Sequence, residues 1–233
     1  MRVGIIQSNY IPWRGYFDFI DDVDLFMFYD DVQYTHKNWR NRNKIKTHQG
    51  PLWISVPVMH DSSTLIQDAR ISYDNRWIDK HVRSIALAYK NAPFFDLYAN
   101  EFFDILRLRL PTISDLNVTI CKWVMQKLRI ETPTIMSGKF SEIKDTKFER
   151  PIRILKILGA THFLSGGTAK EYTNIENYKA AGITLEFKSY EYPAYPQLHG
   201  PFEPFVTVLD LLFNCGENSR TYLKSTKASV KAD

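Results

Sequence analysis

The stretch that decides the fold is residues 2–30, RVGIIQSNYIPWRGYFDFIDDVDLFMFYD. Residues 3–7 form a mostly apolar run of strand length, and the proline and glycine that follow mark a turn. Residues 16–21 predict a short helix, and the continuous apolar run within 24–30 predicts a second strand that is covered on both faces. A strand, a turn, a helix and a strand in this order predict a parallel βαβ unit.

Further helices and strands surround this unit. Apolar residues recur at i+4 spacing over about 75–130, which predicts a helical segment. Residues 150–167 and 174–187 each predict a helix followed by a buried strand, with glycine where the helix ends. The apolar stretch 203–219 predicts one more helix.

These elements together predict the fold class and the domain plan. We expect an α/β fold in which helices flank a Rossmann-like parallel sheet, with a mostly helical insertion at about 75–130. The chain has no internal repeat and no low-complexity linker, so we expect a single domain over 1–222. Residues 223–233 predict a mobile basic tail.

The composition is that of an ordinary globular protein and excludes several classes. The formal net charge is only +4 over 233 residues, without the strong basic stripe of a nucleic-acid binder. Cys121 and Cys215 stand in no CxxC pair and near no histidine at ligand spacing, so we predict no metal site. A secretory signal and an apolar run of about 18 residues, as a membrane span needs, are both absent from the sequence. We therefore expect a cytoplasmic protein without nucleic-acid or membrane partners.

The turn after the first strand is the first candidate site. Residues 7–17, QSNYIPWRGYF, follow a buried strand and enter a helix. Ligands of open α/β sheets bind beyond the carboxyl ends of strands, and a helix entry presents free N–H groups to phosphate. The alternative is a well-packed turn with the tryptophan in the core. The predicted substrate-binding residues here are Gln7, Asn9, Tyr10, Trp13 and Tyr16.

The basic segment after the second strand is the second candidate site. Residues 32–60 contain five Lys or Arg residues and no acid. In an extended hairpin, Arg40, Arg42, Lys44 and Lys46 share one face, which suits a diphosphate. The alternative is a solvated edge strand protected by its charge. The predicted binding residues of this segment are Gln33, Tyr34, Asn38, Trp39, Arg40, Asn41, Arg42 and Lys44.

Four residues are candidates for acid–base chemistry. His36 lies in the polar segment and His199 precedes a Gly-Pro loop, and an imidazole suits a general base near neutral pH. Asp30 ends the second strand, and Asp210 lies in an otherwise apolar helix, where an unpaired carboxylate is costly to bury. The alternatives are a surface histidine at 36 and a solvent-edge carboxylate at 210.

The turn at 162–172, HFLSGGTAKEY, carries a weaker signal. Ser165 and Gly166 follow a strand and precede a helix, so they can bind phosphate, although a plain βα turn is the alternative. The known glycine-rich nucleotide motifs are absent from this turn.

Several of these stretches resemble the WbqC-like family over nearly the whole chain. They are IIQSNYIPWRGYFDFI at 5–20, DLFMFYDDVQYTHKNWRNRNKIKT..G..WISVPV at 24–58, FLSG...KEY at 163–172 and F.PFVTVLDLLFNCGENS at 202–219. The resemblance implies a place in bacterial O-antigen or other polysaccharide biosynthesis. It also implies transfer of glycine or another acyl unit to an amino sugar.

A fainter likeness concerns the first strand and its turn. They are similar in layout to the HxGH turn of nucleotidylyltransferases and pantothenate synthetases, which implies a shared fold. Trp13 and Tyr16 stand where that turn has its two histidines, and Gly15 is retained. Neither aromatic residue can supply an imidazolium to a phosphate.

The sequence and the resemblance together predict an N-acyl or aminoacyl transferase that acts on a nucleotide-linked deoxyamino sugar. We expect an acyl or aminoacyl thioester as donor, carried by CoA or by an acidic acyl-carrier protein, and no covalently bound cofactor. His36 or His199 is the expected base, Asp30 or Asp210 orients it, and Tyr10, Gln33 or Asn38 polarises the thioester. The alternatives are a nucleotidyl-transfer or adenylate-forming enzyme on the same fold, and a non-catalytic sugar-nucleotide-binding protein.

Overall fold

The computed structural model describes residues 1–146, 148–167 and 174–232. The described residues form ten strands: β1 Arg2–Ile6, β2 Leu25–Phe28, β3 Arg42–Thr47, β4 Gly50–Ser55, β5 Val58–Met59, β6 Arg70–Ile71, β7 Thr134–Met136, β8 His162–Ser165, β9 Thr184–Phe187 and β10 Val230–Lys231. They form seven α-helices: α1 Arg14–Asp21, α2 Trp77–Tyr89, α3 Phe95–Arg107, α4 Ile113–Lys127, α5 Glu149–Ile157, α6 Ile175–Ala180 and α7 Val208–Cys215.

The main sheet has the strand order β10-β9-β8-β1-β2-β7. The strands β9, β8, β1, β2 and β7 run parallel to their neighbours, and β10 joins β9 antiparallel. From β1 the chain first builds outward to β2 and β7, and it then returns to the other side of β1 as β8 and β9. The predicted Rossmann-like α/β fold is therefore confirmed, with a topological switch point between β1 and β8.

Helices cover both faces of the sheet. On one face, Phe17 and Phe19 of α1 pack in the large core together with Phe26 of β2. On the other face, Leu155 of α5 and Tyr178 of α6 pack in a smaller core around the first and eighth strands. Strands buried on both sides explain why β1 and β2 are nearly continuous apolar runs in the sequence.

The helices α2, α3 and α4 follow one another between β6 and β7. Apolar residues at helical spacing bury one face of each helix in the same core as α1. The helix α3 also packs against α7, and α2 packs against β3. The longest of these helices, α4, has 15 residues. Among the described residues, no helix combines the length and the apolar character needed to span a bilayer.

The basic segment forms a two-stranded hairpin of β3 and β4 that stands apart from the main sheet. Its register places Lys44 opposite Trp53 and Arg42 opposite Ser55. Pro57 lies beyond β4, and the chain continues from there into the short pair of β5 and β6.

Two elements differ from the sequence-based expectations. The last helix begins at Val208 rather than near residue 203, with Thr207 as its cap: the Thr207 hydroxyl accepts a hydrogen bond from the Leu209 amide. We expected residues 223–233 to be mobile, but β10 pairs with β9 within them. Lys224 also forms ion pairs with Asp21 and Asp22, so charge attraction holds this segment against α1.

Candidate ligand-binding site

A pocket opens at the carboxyl ends of the parallel strands, at the switch point between β1 and β8. Its volume is about 530 Å³, which is within the range of small-molecule sites. Gln7 and Asn9 follow β1, Tyr29 follows β2, and Ser165 ends β8. The topology of the sheet therefore brings residues from three separate strand ends into one hollow.

Arg40 is the only Lys or Arg among the described residues that line this pocket. Its two terminal nitrogens donate hydrogen bonds to the side-chain oxygens of Gln7 and Asn9. These bonds fix the plane of the guanidinium and leave other N–H groups for a ligand. Burial lowers the pKa of Arg40, whereas Tyr16 and Asp30 favour its charged form.

Backbone contacts hold the Arg40 segment against the turn after β1. The Tyr10 amide donates to the Trp39 carbonyl at 2.9 Å. The side chain of Asn117, in α4, donates to the Arg40 carbonyl at 2.8 Å and to the Ser8 hydroxyl at 3.2 Å. The helical segment thus supplies the residue that joins the two candidate sites predicted from the sequence.

Asn43 and Ile11 shape the same turn. The Asn43 side-chain amide donates to the carbonyls of Tyr10 at 3.1 Å and Ile11 at 2.7 Å. Ile11 has a φ of 41°, in the left-handed region that β-branched residues avoid. Such a conformation costs about 1–3 kcal/mol and persists only where its surroundings enforce it. Asn43 is therefore a structural residue that holds a strained turn beside the pocket.

Asp30 anchors the ends of β1 and β2 from below the pocket. Its carboxylate is fully buried and accepts hydrogen bonds from the Ser8 amide at 2.8 Å and the Ser114 hydroxyl at 2.5 Å. Burial raises the pKa of Asp30, and these hydrogen bonds and the charge of Arg40 oppose the rise. Asp30 is not among the residues that line the pocket. With this geometry, Asp30 stabilises Arg40 and the turn after β1.

Aromatic rings form one side of the pocket. Trp13 contacts the rings of Tyr190 and Phe205 at centroid distances of 5.5 and 5.4 Å. The indole also lies over Gly15, where a Cβ would come within 2.4 Å of the ring, so only glycine fits there. The Tyr16 hydroxyl donates to the Gln7 carbonyl at 3.0 Å. Trp13 and Tyr16 thus serve as pocket walls at the two positions aligned with the HxGH histidines.

A second side of the pocket lies between α5 and α6, and the sequence did not reveal it. Phe163 and Tyr178 stack there with a centroid distance of 5.3 Å, and Asn174 and Asn177 lie at the rim. Among the described residues on this side, the sequence points only to Tyr29, because Tyr29 follows the second strand directly and borders the pocket. The others come from segments that only the fold brings to the switch point.

The two candidate histidines and Asp210 lie away from the pocket lining. His36 is exposed, and its Nδ1 shares a 3.2 Å hydrogen bond with Nε2 of His60. His199 donates from Nε2 to the Ala88 carbonyl at 2.7 Å. Asp210 is fully buried within α7. The pocket therefore gains no acid or base from these three residues, and their catalytic roles stay predictions.

Most other predicted residues of the basic segment also lie outside the lining. Arg42 and Lys44 extend over the Trp53 ring at 4.4 and 5.7 Å from its centroid, and Trp39 stacks on that ring at 5.4 Å. Only Arg40 of the expected cationic row reaches the pocket, because it precedes β3 and turns toward β1. Lys46 is buried, and its ammonium group donates to the side chain of Gln197 at 2.9 Å.

The remaining predicted residues have local partners. The Tyr10 hydroxyl is buried against Nδ1 of His81 at 2.9 Å, and the Asn41 amide donates to the Val56 carbonyl at 2.9 Å. Gln33 donates to the Ser62 carbonyl, and Asn38 accepts from the Trp39 amide. Tyr34 is buried beside His60, and burial raises its pKa to about 12.

Ser165 and Gly166 do line the pocket, at the end of β8. The last part of that predicted turn, 168–172, lies outside the described residues. Among the residues that the structure describes, no group of three His, Cys, Asp or Glu side chains is placed to hold a metal ion.

These features define a class: an α/β protein with a pocket, and so a candidate ligand site, at the switch point of a parallel sheet. The chain belongs to the WbqC-like protein family, whose sequence profile matches residues 7–222, and the resemblance seen in the motifs is thereby confirmed. It is 39% identical over 227 residues to the uncharacterized protein Rv1507c of Mycobacterium tuberculosis, covering 96% of this chain and 97% of that protein. No solved structure matches the chain significantly.

Proposed function

We propose that the protein transfers an acyl or aminoacyl group from a thioester to the amino group of a nucleotide-linked deoxyamino sugar, in the biosynthesis of a surface polysaccharide. The observation that carries the proposal is Arg40, which Gln7 and Asn9 hold at the switch-point pocket. A fixed guanidinium in a largely aromatic hollow suits a ligand that combines phosphate with rings.

The proposed reaction is direct aminolysis of the thioester. The sugar amine gives up its ammonium proton to solvent and attacks the carbonyl carbon. The C–S bond then breaks, and the leaving thiolate takes one of the two protons of the attacking nitrogen. The other proton stays on the nitrogen, so an amide and a free thiol result. The donor is CoA or an acidic carrier protein. Arg42 and Lys44 form no ion pair with a described residue, which suits an acidic partner.

The amides of Gln7 and Asn9 can stabilise the developing oxyanion. Their oxygens accept hydrogen bonds from Arg40, which fixes the direction of their N–H groups. These N–H groups make no hydrogen bond to described residues and border the pocket. They are thus free to donate to a thioester carbonyl, the role we expected of Tyr10, Gln33 or Asn38.

Arg40→Ala tests the proposal. Isothermal titration with nucleoside diphosphates and nucleotide-linked amino sugars should show a loss of about 10- to 100-fold in affinity, the usual range for a charge-assisted hydrogen-bonding partner. With an acyl-CoA present, mass spectrometry should show the acyl mass on the sugar nucleotide, together with one free thiol per product.

Arg42→Ala is the matched control for the nucleotide titration, because Arg42 is also a partly buried arginine of the same segment but lies over Trp53 outside the pocket. Arg40→Lys keeps the charge and lowers the risk of misfolding, which circular dichroism checks. Equal binding by wild type and Arg40→Ala contradicts the proposal. Pyrophosphate release from ATP, without any thiol, would support nucleotidyl transfer instead.

One observation favours a second candidate, a non-catalytic sugar-nucleotide-binding protein. The described part of the pocket lining contains no histidine, cysteine, aspartate or glutamate. A binding protein needs no proton carrier, and its Arg40→Ala variant would lose affinity in the same way. Turnover of an acyl thioester in the presence of the amino sugar separates the two candidates.

A further inference from the structure

The switch-point pocket has two chemically different ends. At the strand edge, Gln7, Asn9 and Arg40 offer charge and amide groups. At the other end, between α5 and α6, the walls are formed by Pro151, Ile152, Phe163 and Tyr178. A ligand that fills both ends must itself be charged at one end and flat and apolar at the other.

The walls of the second end suit a flat ring. Phe163 and Tyr178 lie nearly parallel, at an interplanar angle of 17°, and both are more than nine-tenths buried. A sugar or phosphate placed against these rings and against Ile152 would lose hydration without gaining a hydrogen bond from them. A planar heterocycle buries its apolar faces there and keeps its polar edge at the rim.

The rim of this end carries two unused amides. Asn174 is the N-cap residue of α6 and Asn177 lies in its first turn, and both line the pocket. Both are exposed, and neither side chain hydrogen-bonds to a described residue. Each amide offers a donor and an acceptor, the combination that reads the edge of a nucleobase.

We infer that the space between α5 and α6 is the nucleobase subsite of the ligand, with Asn177 and Asn174 reading the base edge and Arg40 holding the phosphates. This inference rests on the proposed function and adds to it the orientation of the nucleotide in the pocket. The sugar then extends from the phosphates toward the ring of Trp13.

The test is isothermal titration of the full chain with UDP, ADP, uridine and inorganic diphosphate. Wild type binds at least one nucleoside diphosphate about tenfold more tightly than inorganic diphosphate. Asn177→Ala lowers the affinity for that nucleoside diphosphate about tenfold and leaves the affinity for inorganic diphosphate unchanged. The preference between UDP and ADP identifies the class of base.

Glu176→Gln is the matched control, since Glu176 is an exposed neighbour on α6 outside the pocket lining. The Glu176→Gln variant should bind nucleotides like wild type. Asn174→Ala should lower the affinity for the same nucleotide that Asn177→Ala affects. If nucleoside diphosphates bind and need Arg40 but Asn177→Ala has no effect, the inference is overturned and the proposed function stands. If neither nucleoside diphosphates nor inorganic diphosphate binds, both are overturned.

Discussion

Asp210 is unusual among the described residues, because its carboxylate is fully buried and neither oxygen has a hydrogen bond of regular geometry to any of them. The polar groups around it belong to Tyr89, Tyr195 and Gln197, and Lys46 is the cation nearby. Burial raises the pKa of Asp210 to about 6, and these neighbours limit the rise. The sequence indicated that a carboxylate in this apolar helix is costly to bury unpaired, and the structure surrounds it with these polar groups and the charge of Lys46.

This shift makes the stability depend on pH. The folded pKa of about 6 exceeds the ordinary value of 3.8, so the folded chain keeps the Asp210 proton between about pH 4 and 6. The free energy of unfolding therefore falls as pH rises through this window, by up to about 3 kcal/mol. We expect Asp210→Asn to lack this loss, so that urea denaturation shows its advantage over wild type growing from pH 4 to pH 7.

His81 also makes the stability depend on pH. The free energies of unfolding of wild type and Asp210→Asn must therefore be compared as a difference at each pH. Burial lowers the pKa of His81 to about 4, so its contribution to stability is lost as pH falls from about 6.5 toward 4. This effect is common to wild type and Asp210→Asn and cancels in their difference. A difference that stays constant from pH 4 to pH 7 would show that Asp210 is ionised in the fold.

At the scale of the elements, the turn after β1 and the segment before β3 behave as one unit. Asn43 holds the carbonyls on either side of the strained Ile11, and the Tyr10 amide reaches the carbonyl of Trp39. Arg40 follows Trp39 directly, so the position of its guanidinium depends on this contact. The two segments were predicted from the sequence as separate candidate sites, and the side-chain amide of Asn43 is part of what joins them.

We expect Asn43→Ala to lower the free energy of unfolding by about 2–3 kcal/mol, because two buried carbonyls lose their donor. The folded variant should also bind nucleoside diphosphates more weakly, since the turn that carries Asn9 is no longer held. Asn214→Ala is a suitable control. That buried residue donates to the Asp210 carbonyl, away from the pocket, so the variant should lose stability but keep its affinity.

Elements whose own residues carry a clear pattern could be predicted from the sequence. The apolar runs of β1 and β2 and the glycine stop at Gly159 agree with the observed elements. The pairing of β10 could not be predicted, because Val230 and Lys231 form too short a run to indicate a strand. Its formation depends on the free edge of β9, which is a property of the finished sheet.

At the scale of the whole molecule, the strand order decides the site. The pocket exists because β8 returns to the side of β1 opposite β2, and no local pattern encodes that choice. The turn residues Gln7 and Asn9 were predicted because they follow a strand directly. Asn177 and Tyr190 are about 170 or more residues away in sequence, so only the assembled sheet could reveal them.

The C-terminal segment, residues 224–233, helps to stabilise the whole fold. Asp18 of α1 is fully buried and ion-pairs with Lys188 at 2.7 Å. It also accepts hydrogen bonds from the Tyr192 hydroxyl at 2.9 Å and the Ser225 amide at 3.0 Å. Removing residues 224–233 would therefore weaken the support of a buried carboxylate and expose the edge of β9.

We expect a chain ending at residue 223 to lose about 2–4 kcal/mol of unfolding free energy in urea, because a buried charge loses a donor and a strand loses its partner. Its nucleotide affinity should fall as well. Tyr190 lines the pocket and lies two residues before Tyr192, whose hydroxyl donates to Asp18. Lys227→Ala is the control, because Lys227 pairs with Glu191 on the surface and should contribute less than about 1 kcal/mol. An unchanged midpoint for the shortened chain would mean that Lys188 and Tyr192 are sufficient to stabilise Asp18, and that β10 only covers the sheet edge.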